Sequence, residues 1–176
     1  MKTKFIIAAL ILGSPAAALV GLDPLHNGEV RAAEAAAPKS DQTTRSRYRA
    51  ECGACHVAYP ARMLPPHAWK RIMQNLERHY GDNAELSPAL QAELTGYLLD
   101  HARKPRRYSE PAANELPRIT TQRWFTHEHG ELPRRMVQGN PKVGSFSNCA
   151  ACHSAATQGH FSEHGVRIPG YGRWDD

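Results

Sequence analysis

All four cysteines of this 176-residue chain lie in two copies of one short motif, Cys-x-x-Cys-His. Residues 52–56 read CGACH and residues 149–153 read CAACH. This spacing is the attachment signature of a c-type haem, in which two thiols bond to the haem and the next histidine ligates the iron. We therefore predict two covalently bound haem c groups. The residues assigned to them are Cys52, Cys55 and His56 in the first motif and Cys149, Cys152 and His153 in the second.

Zinc sites or disulfides are the alternative uses of such cysteine pairs. Zinc would need four ligands per site, or one site shared by both motifs, and neither motif supplies four ligands alone. We therefore favour haem attachment.

Residues 1–33 have the pattern of an export signal. Lys2 and Lys4 precede an almost uncharged apolar stretch over residues 5–22, and an Ala-rich segment with small-residue cleavage sites follows. A retained membrane anchor is the alternative, because about 18 apolar residues lie at the lower edge of a membrane span. The Gly-Ser-Pro sequence at 13–15 interrupts this stretch. We predict a cleaved signal and a periplasmic protein, which agrees with haem attachment outside the cytoplasm.

The remaining chain is predicted to form two haem domains, residues 34–104 and residues 105–176. The boundary lies at a Pro-rich, polar stretch over 105–117. Basic residues exceed acidic ones in both domains. The one basic cluster is residues 103–107 (RKPRR). It is either a solvated linker or a docking patch for an acidic partner or anionic lipid. Basic residues are not interleaved with aromatics along a face, so we expect no nucleic-acid binding.

Hydrophobic periodicity predicts a mainly α fold. In the first domain we expect a helix from about Asp41 into the first motif, a helix from Pro66 to just before Gly81, and a helix that begins at Ser87-Pro88. In the second domain we expect a short helix capped by Thr120 or Thr121 and another around residues 132–137. Few β-strands are expected.

The two motifs have different surroundings in the sequence. Two helices follow the first motif, as in a cytochrome c-like helical haem domain. Only 23 residues follow His153, they are rich in glycine, and no long helix can form there. We therefore predict a smaller, loop-rich C-terminal haem domain. Each domain is too small for a good apolar core alone, so the haems must supply apolar mass and the chain without haem should be mostly unfolded.

The distal iron ligand decides the function of a haem. For the first haem the favoured candidate is His79, which shares the apolar face of the predicted helix over 66–80. A core histidine that binds no metal is the alternative reading of His79. The competing candidates are Met63, Met73, His67 and His101.

For the second haem the favoured distal candidate is His129. His127 is second, and because the two histidines are about 200° apart around a helix they cannot both face one iron. His160, His164 and Met136 are the other candidates, and the first two would need a tight loop to reach across the haem. A swapped arrangement, in which one domain caps the haem of the other, also stays open.

The chain resembles the small periplasmic dihaem cytochrome c (DHC) family over residues 50–170. The residues that carry the resemblance are the first motif with Tyr59-Pro60 and Leu64-Pro65, then Trp69 and residues 79–84 (HYGDNA), and in the second half residues 118–120 (RIT), Trp124-Phe125, Glu128-His129, Asn148 with the second motif, and Ile168-Pro169.

This resemblance implies two six-coordinate, bis-histidine haems, with His79 and His129 as the distal ligands. It implies an electron-transfer protein rather than an enzyme, with a membrane b-type cytochrome as donor and a small oxygen-binding monohaem cytochrome c as acceptor. We expect a monomer. The alternatives are a dihaem peroxidase-like enzyme and a gas-binding haem protein with one open iron, and the short chain leaves little sequence for a substrate pocket.

Overall fold

The computed structural model of this protein describes residues 41–174. The predicted export signal lies outside the described residues. Five α-helices are present in the described part: α1 (Asp41–Cys52), α2 (Pro66–Met73), α3 (Pro88–His101), α4 (Arg123–Glu128) and α5 (Arg134–Val137). Two short strands, β1 (Arg167–Ile168) and β2 (Gly172–Arg173), pair antiparallel, with Ile168 opposite Gly172. The mainly α prediction is confirmed.

Local sequence signals account for the ends of α1 and α3. Helix α1 ends at the first cysteine, where the chain passes so close to itself that a Cβ on Gly53 would lie 2.1 Å from the Arg49 carbonyl oxygen. Only glycine fits this approach. Helix α3 begins as predicted, with Pro88 in its first turn and the Ser87 hydroxyl accepting a hydrogen bond from the Leu90 amide at 3.4 Å.

Helix α2 is shorter than predicted, because it ends at Met73 rather than just before Gly81. The side chain of Gln91, on α3, donates to the Met73 carbonyl at 2.5 Å, and the side chain of Asn75 donates to the Arg71 carbonyl at 2.8 Å. These side chains satisfy carbonyls at the end of the helix, so the chain can turn without leaving them unpaired. His79 therefore lies beyond the helix, in a turn.

The main apolar core lies between α1, α2 and α3. Trp69 is buried in it and its indole N–H donates to the Ala61 carbonyl at 2.7 Å. Ile119 and Phe125, from the C-terminal half, join this core. Its other buried members are Tyr48, Ala61, Leu64, Ala68, Ile72, Met73, Leu76, Leu94, Leu98 and Ala102.

The C-terminal half has a different organisation. Its remaining buried apolar residues are not part of the main core; they are Val137, Val143, Ala156, Val166 and Ile168. Buried Asn140 links its segments, since its side-chain amide donates to the carbonyls of Met136 at 3.2 Å and Pro169 at 2.8 Å. The predicted threonine cap of α4 is wrong: Gln122 is the N-cap residue, and no side chain makes a capping hydrogen bond there.

Within residues 41–174 there is no helix of sufficient length and apolar character to cross a membrane. Residues 41–174 belong to one compact unit. The division into haem domains at residue 104 stays a prediction.

Candidate haem sites

The first motif is a turn that continues from the end of α1. Cys52 is the last residue of the helix and is half-buried, whereas Cys55 and His56 are exposed. The Nδ1 atom of His56 lies 2.7 Å from the Val57 carbonyl oxygen. A carbonyl at Nδ1 holds the hydrogen of the ring on that nitrogen and leaves Nε2 as the metal-binding atom.

His79 lies opposite His56. The two ring centres are 6.2 Å apart and the ring planes are inclined by only 16°. The position of His79 depends on a tight turn, in which the Asp82 amide donates to the His79 carbonyl at 3.1 Å and both Tyr80 and Gly81 have positive φ. The Tyr80 ring packs edge-on against His79 at 4.8 Å.

The second motif forms a short 3-10 helix, Cys149–Ala151, that folds back on itself. The amides of Cys152 and His153 both donate to the Cys149 carbonyl, at 3.2 and 2.8 Å. The C-terminal segment then pairs with the motif, because the Arg167 amide donates to the Cys152 carbonyl at 3.0 Å and His153 forms a β-bridge with Val166. Residues after the motif, as well as residues before it, therefore hold the second site.

His129 lies opposite His153, again with ring centres 6.2 Å apart, but here the planes are inclined by 64°. His129 directly follows α4, and its Nδ1 lies 2.9 Å from the Phe125 carbonyl oxygen, which also leaves Nε2 available. The Phe125 ring stacks on His129 at 3.9 Å, and Phe146 packs edge-on against it at 6.0 Å.

An apolar cavity lies beside the second histidine pair. Its lining combines both cysteines and both histidines of the site with aromatic and aliphatic side chains, and Tyr59 and Met63 from the N-terminal half also line it. Five of the six buried aliphatic residues of the C-terminal half are in this lining: Ile119, Val137, Val143, Val166 and Ile168.

Both histidine pairs fit an iron with two axial imidazoles. A metal bound to one nitrogen of each ring at about 2 Å separates the ring centres by about 6 Å. The Nδ1 atoms of His79 and His153 are buried without a hydrogen-bond partner among the described residues. Buried polar groups without a partner are rare in folded proteins, and a redox site or a bound ion is one of the explanations for them.

The electrostatics of the two sites also suit metal ligation. Burial lowers the pKa of His79, and the facing His56 ring lowers it further, against the opposing effect of Asp82. Burial and the facing His129 ring likewise lower the pKa of His153, and the Ser162 backbone acts in the opposite direction. Both shifts favour neutral imidazole, which is the form that binds metals.

The other candidates lie elsewhere. His127 is exposed, with Nδ1 3.2 Å from a Glu128 carboxylate oxygen. His101 contacts Asp41 at 3.0 Å, and exposed His67 contacts Glu110. Met63 lines the second cavity. The remaining candidates are Met73 in the main core, Met136 half-buried on α5, exposed His160, and His164, which is exposed at the rim of the second cavity.

The sequence reasoning missed the aromatic rings that surround the second pair. Phe125 precedes His129 by four residues, a spacing at which helical side chains contact each other, so this neighbour was detectable. Phe146 and Phe161, whose ring is 5.6 Å from His153, carry no such signal because loops of irregular shape bring them to the site.

Zinc sites need four ligands, and within residues 41–174 no group of three or more His, Cys, Asp or Glu side chains forms a cluster suited to a metal ion.

Comparisons with known proteins agree with this geometry. A profile of the family described as dihaem cytochrome c matches residues 48–161. The solved structure of a dihaem cytochrome c from Shewanella baltica OS155 is 50% identical, with a TM-score of 0.66, and the match covers 75% of this chain and 98% of that one. Two structures of the Rhodobacter sphaeroides dihaem cytochrome c are 38% identical, with TM-scores of 0.53 and 0.56, over 65% of this chain and 94% of theirs. Among curated proteins none matches.

Proposed function

This chain belongs to the dihaem cytochrome c family, and from that premise we propose that it is an exported, periplasmic electron carrier in which two histidines ligate each iron. Family membership makes it an electron-carrying cytochrome with two covalently attached haem c groups. When bound, each haem supplies a reversible one-electron change at its iron. The chain's residues decide whether that iron can do anything else.

The pairing of imidazoles at both motifs carries the proposal. His79 faces His56, and His129 faces His153, each pair with ring centres 6.2 Å apart. Two axial histidines fill both open positions of a haem iron, so neither a substrate nor a gas can bind there. This arrangement favours electron transfer over the peroxidase-like and gas-binding alternatives.

The surroundings of each pair hold the ligands in place. Phe125 and Phe146 contact His129 on two sides, and Tyr80 contacts His79. Side chains that are packed in this way do not swing aside easily, which keeps the coordination unchanged between oxidation states and limits reorganisation during electron transfer.

The proposed partners follow from the family resemblance. We propose a membrane b-type cytochrome as the donor and a small oxygen-binding monohaem cytochrome c as the acceptor, with the chain itself a monomer in the periplasm. The export pattern of residues 1–33 and the extracytoplasmic attachment of haem c support this location.

Carbon monoxide tests the axial saturation. The purified holoprotein is reduced and carbon monoxide is added at neutral pH while the Soret and visible bands are recorded. We expect no change, because the ligand finds no open position on either iron. A carbon monoxide adduct at either haem would contradict the proposal.

Matched variants identify the distal ligands. The His129→Ala variant and the His79→Ala variant should each contain one high-spin haem that binds carbon monoxide, whereas the His127→Ala variant should keep both haems low-spin. If His127→Ala creates the high-spin haem and His129→Ala does not, the assignment at the second site is wrong.

A further inference from the structure

Two arginines of the N-terminal half hold the segment that follows the second motif. The guanidinium of Arg49, in the last turn of α1, donates to the Gln158 carbonyl at 3.1 Å. The guanidinium of Arg62 donates to the next carbonyl along the chain, that of Gly159, also at 3.1 Å. We call these two hydrogen bonds the arginine clamp.

The carbonyls in the arginine clamp suit a cationic donor. They lie at the end of the 3-10 helix Ala156–Gln158, and the last carbonyls of a helix have no partner within it. Arginine side chains near the end of a helix can bond these carbonyls. Because the guanidinium is charged, each such hydrogen bond is about twice as strong as one between neutral groups.

Local hydrogen bonds join the arginine clamp to both motifs. On the N-terminal side, the amide of Gly53, inside the first motif, donates to the Arg49 carbonyl at 3.0 Å. On the C-terminal side, the Ala156 amide donates to the His153 carbonyl at 3.0 Å, and the Gly159 amide donates to the Ala156 carbonyl at 2.9 Å. The donor and the acceptor of the clamp are therefore each fixed to a haem motif.

The two histidines of the second site are attached to the N-terminal half by different means. Phe125 joins the main core and stacks on His129, so apolar packing holds this histidine. The segment after His153 is held by the arginine clamp and by a contact with Pro60, since a Cβ added to Gly159 would lie 3.6 Å from the proline Cγ. The clamp thus acts on the side of the site that the core does not reach.

We propose that Arg49 and Arg62 are positioning residues that keep the second haem site at one distance from the first, and thereby set the rate at which an electron passes between them. In that step one electron leaves one iron and enters the other, so that the first iron is oxidised and the second is reduced. No bond forms or breaks, and no proton moves. The inference rests on the proposed electron-carrying function.

The test compares two double variants that lose the same charge. Arg49→Gln/Arg62→Gln removes the arginine clamp. Arg45→Gln/Arg47→Gln removes two other exposed arginines of α1, whose carboxylate partners lie within the N-terminal half. This matched control changes the net charge equally and leaves the contacts between the halves in place.

Amide hydrogen exchange measures how firmly the segment is attached. The amides of Gly159 and His160 donate within the segment, to the carbonyls of Ala156 at 2.9 Å and Ala155 at 3.1 Å. Loss of a hydrogen bond to a charged group corresponds to about a tenfold change in an equilibrium constant, so the protection of both amides should fall by about tenfold in the clamp variant. The control variant should keep wild-type protection.

Pulse radiolysis of the holoproteins measures the electron exchange itself. The equilibration rate between the haems should fall by about twofold or more in the clamp variant, because it follows the fraction of molecules in the attached arrangement. Both haems should stay low-spin by electron paramagnetic resonance (EPR), and both reduction potentials should equal those of the control variant. The control variant should equilibrate at the wild-type rate.

If the clamp variant loses haem, the single variant Arg62→Gln takes its place and should show the same slowing, because it leaves α1 and both motifs unchanged. The inference is overturned if electrons equilibrate at the wild-type rate without the clamp, or if the control variant is slowed equally. The wild-type carbon monoxide experiment reports separately on the proposed function.

Discussion

The two haem sites share one chemistry but are built into the protein in opposite ways. At the first site, α1, α2 and α3 pack around a continuous apolar core that includes Trp69, Leu94 and Leu98, and the first motif continues from the end of α1. At the second site, most of the buried aliphatic residues line the haem cavity itself. Protein packing therefore shapes the first site, whereas the second half would take much of its core from the haem that it binds.

This difference follows from the distribution of secondary structure along the chain. Within the described part, the C-terminal half contains α4 and α5, of six and four residues, two strands of two residues each, and 3-10 helices of three residues. Elements of this length cannot bury a large apolar surface against one another. A covalent porphyrin would supply that surface, and backbone pairing of Val166 and Arg167 with the motif closes the site.

The largest difference between the two halves is expected when one haem is removed at a time. The double variant Cys149→Ser/Cys152→Ser should lose the ordered structure of the C-terminal half after α4, because its buried aliphatic residues no longer have a porphyrin to pack against. Helices α1, α2 and α3 should persist around the first haem. Limited proteolysis should cut within residues 130–174, and circular dichroism should keep most of the helical signal.

The matched variant Cys52→Ser/Cys55→Ser disrupts the other site. It should lose more helical signal, because α1 runs directly into the missing site and α1, α2 and α3 contain most of the helical residues of the described part. Cleavage within α1 to α3 in the second-motif variant, or equal loss of helix in both variants, would contradict the distinction between the two halves.

Asn140 offers a smaller, local perturbation of the second site. Its side chain donates to the Met136 and Pro169 carbonyls and accepts from the Lys142 amide at 3.1 Å. We expect Asn140→Ala to lower the free energy of unfolding by about 1–3 kcal/mol, because it leaves buried carbonyls unpaired. Denaturant titration, followed separately at the two Soret contributions, should show the second haem losing its histidine ligation first. Simultaneous loss of ligation at both haems, at wild-type stability, would count against the local role of Asn140.

The smallest effect is expected on the surface of the first half. The guanidinium of Arg47, on α1, lies 3.1 Å from the carboxylate of Glu93, on α3. Arg47→Ala should lower stability by about 0.2–1 kcal/mol, as is typical of exposed ion pairs, and the effect should decrease as salt is added. Thermal unfolding at low and high salt measures this. A larger loss of stability that salt does not change would contradict this account. It would indicate that the apolar core holds α1 against α3 less firmly than we infer.

The parts of the fold that depend on neighbours in sequence could be predicted from the sequence. The haem attachment follows from the spacing of cysteine and histidine, and the start of α3 follows from its Ser-Pro signal. The end of α2 could not be predicted, because the Gln91 side chain that pairs with the Met73 carbonyl comes from α3. His79 faces the first motif from a turn and not, as predicted, from a helical face.

The second site was harder to predict from the sequence, because more of its contacts join residues that are distant in sequence. The C-terminal half is loop-rich, as predicted, but strands as short as β1 and β2 are too short to show a periodic sequence pattern. The pairing of Arg167 with Cys152 is set by backbone hydrogen bonds, to which side-chain pattern contributes little. Sequence also offers no sign that Tyr59, three residues after the first motif, lines the second cavity.

The ring planes provide the most direct test of the central claim that each site holds a facing pair of histidines, in a different geometry. Imidazoles donate into the iron d orbitals. Near-parallel planes, 16° apart at the first site, separate two of these orbitals in energy, whereas planes 64° apart at the second site leave them closer together. The ferric holoprotein at low temperature should therefore give two low-spin EPR signals of equal intensity, one rhombic and one strongly anisotropic. A high-spin signal, or two identical low-spin signals, would contradict the account.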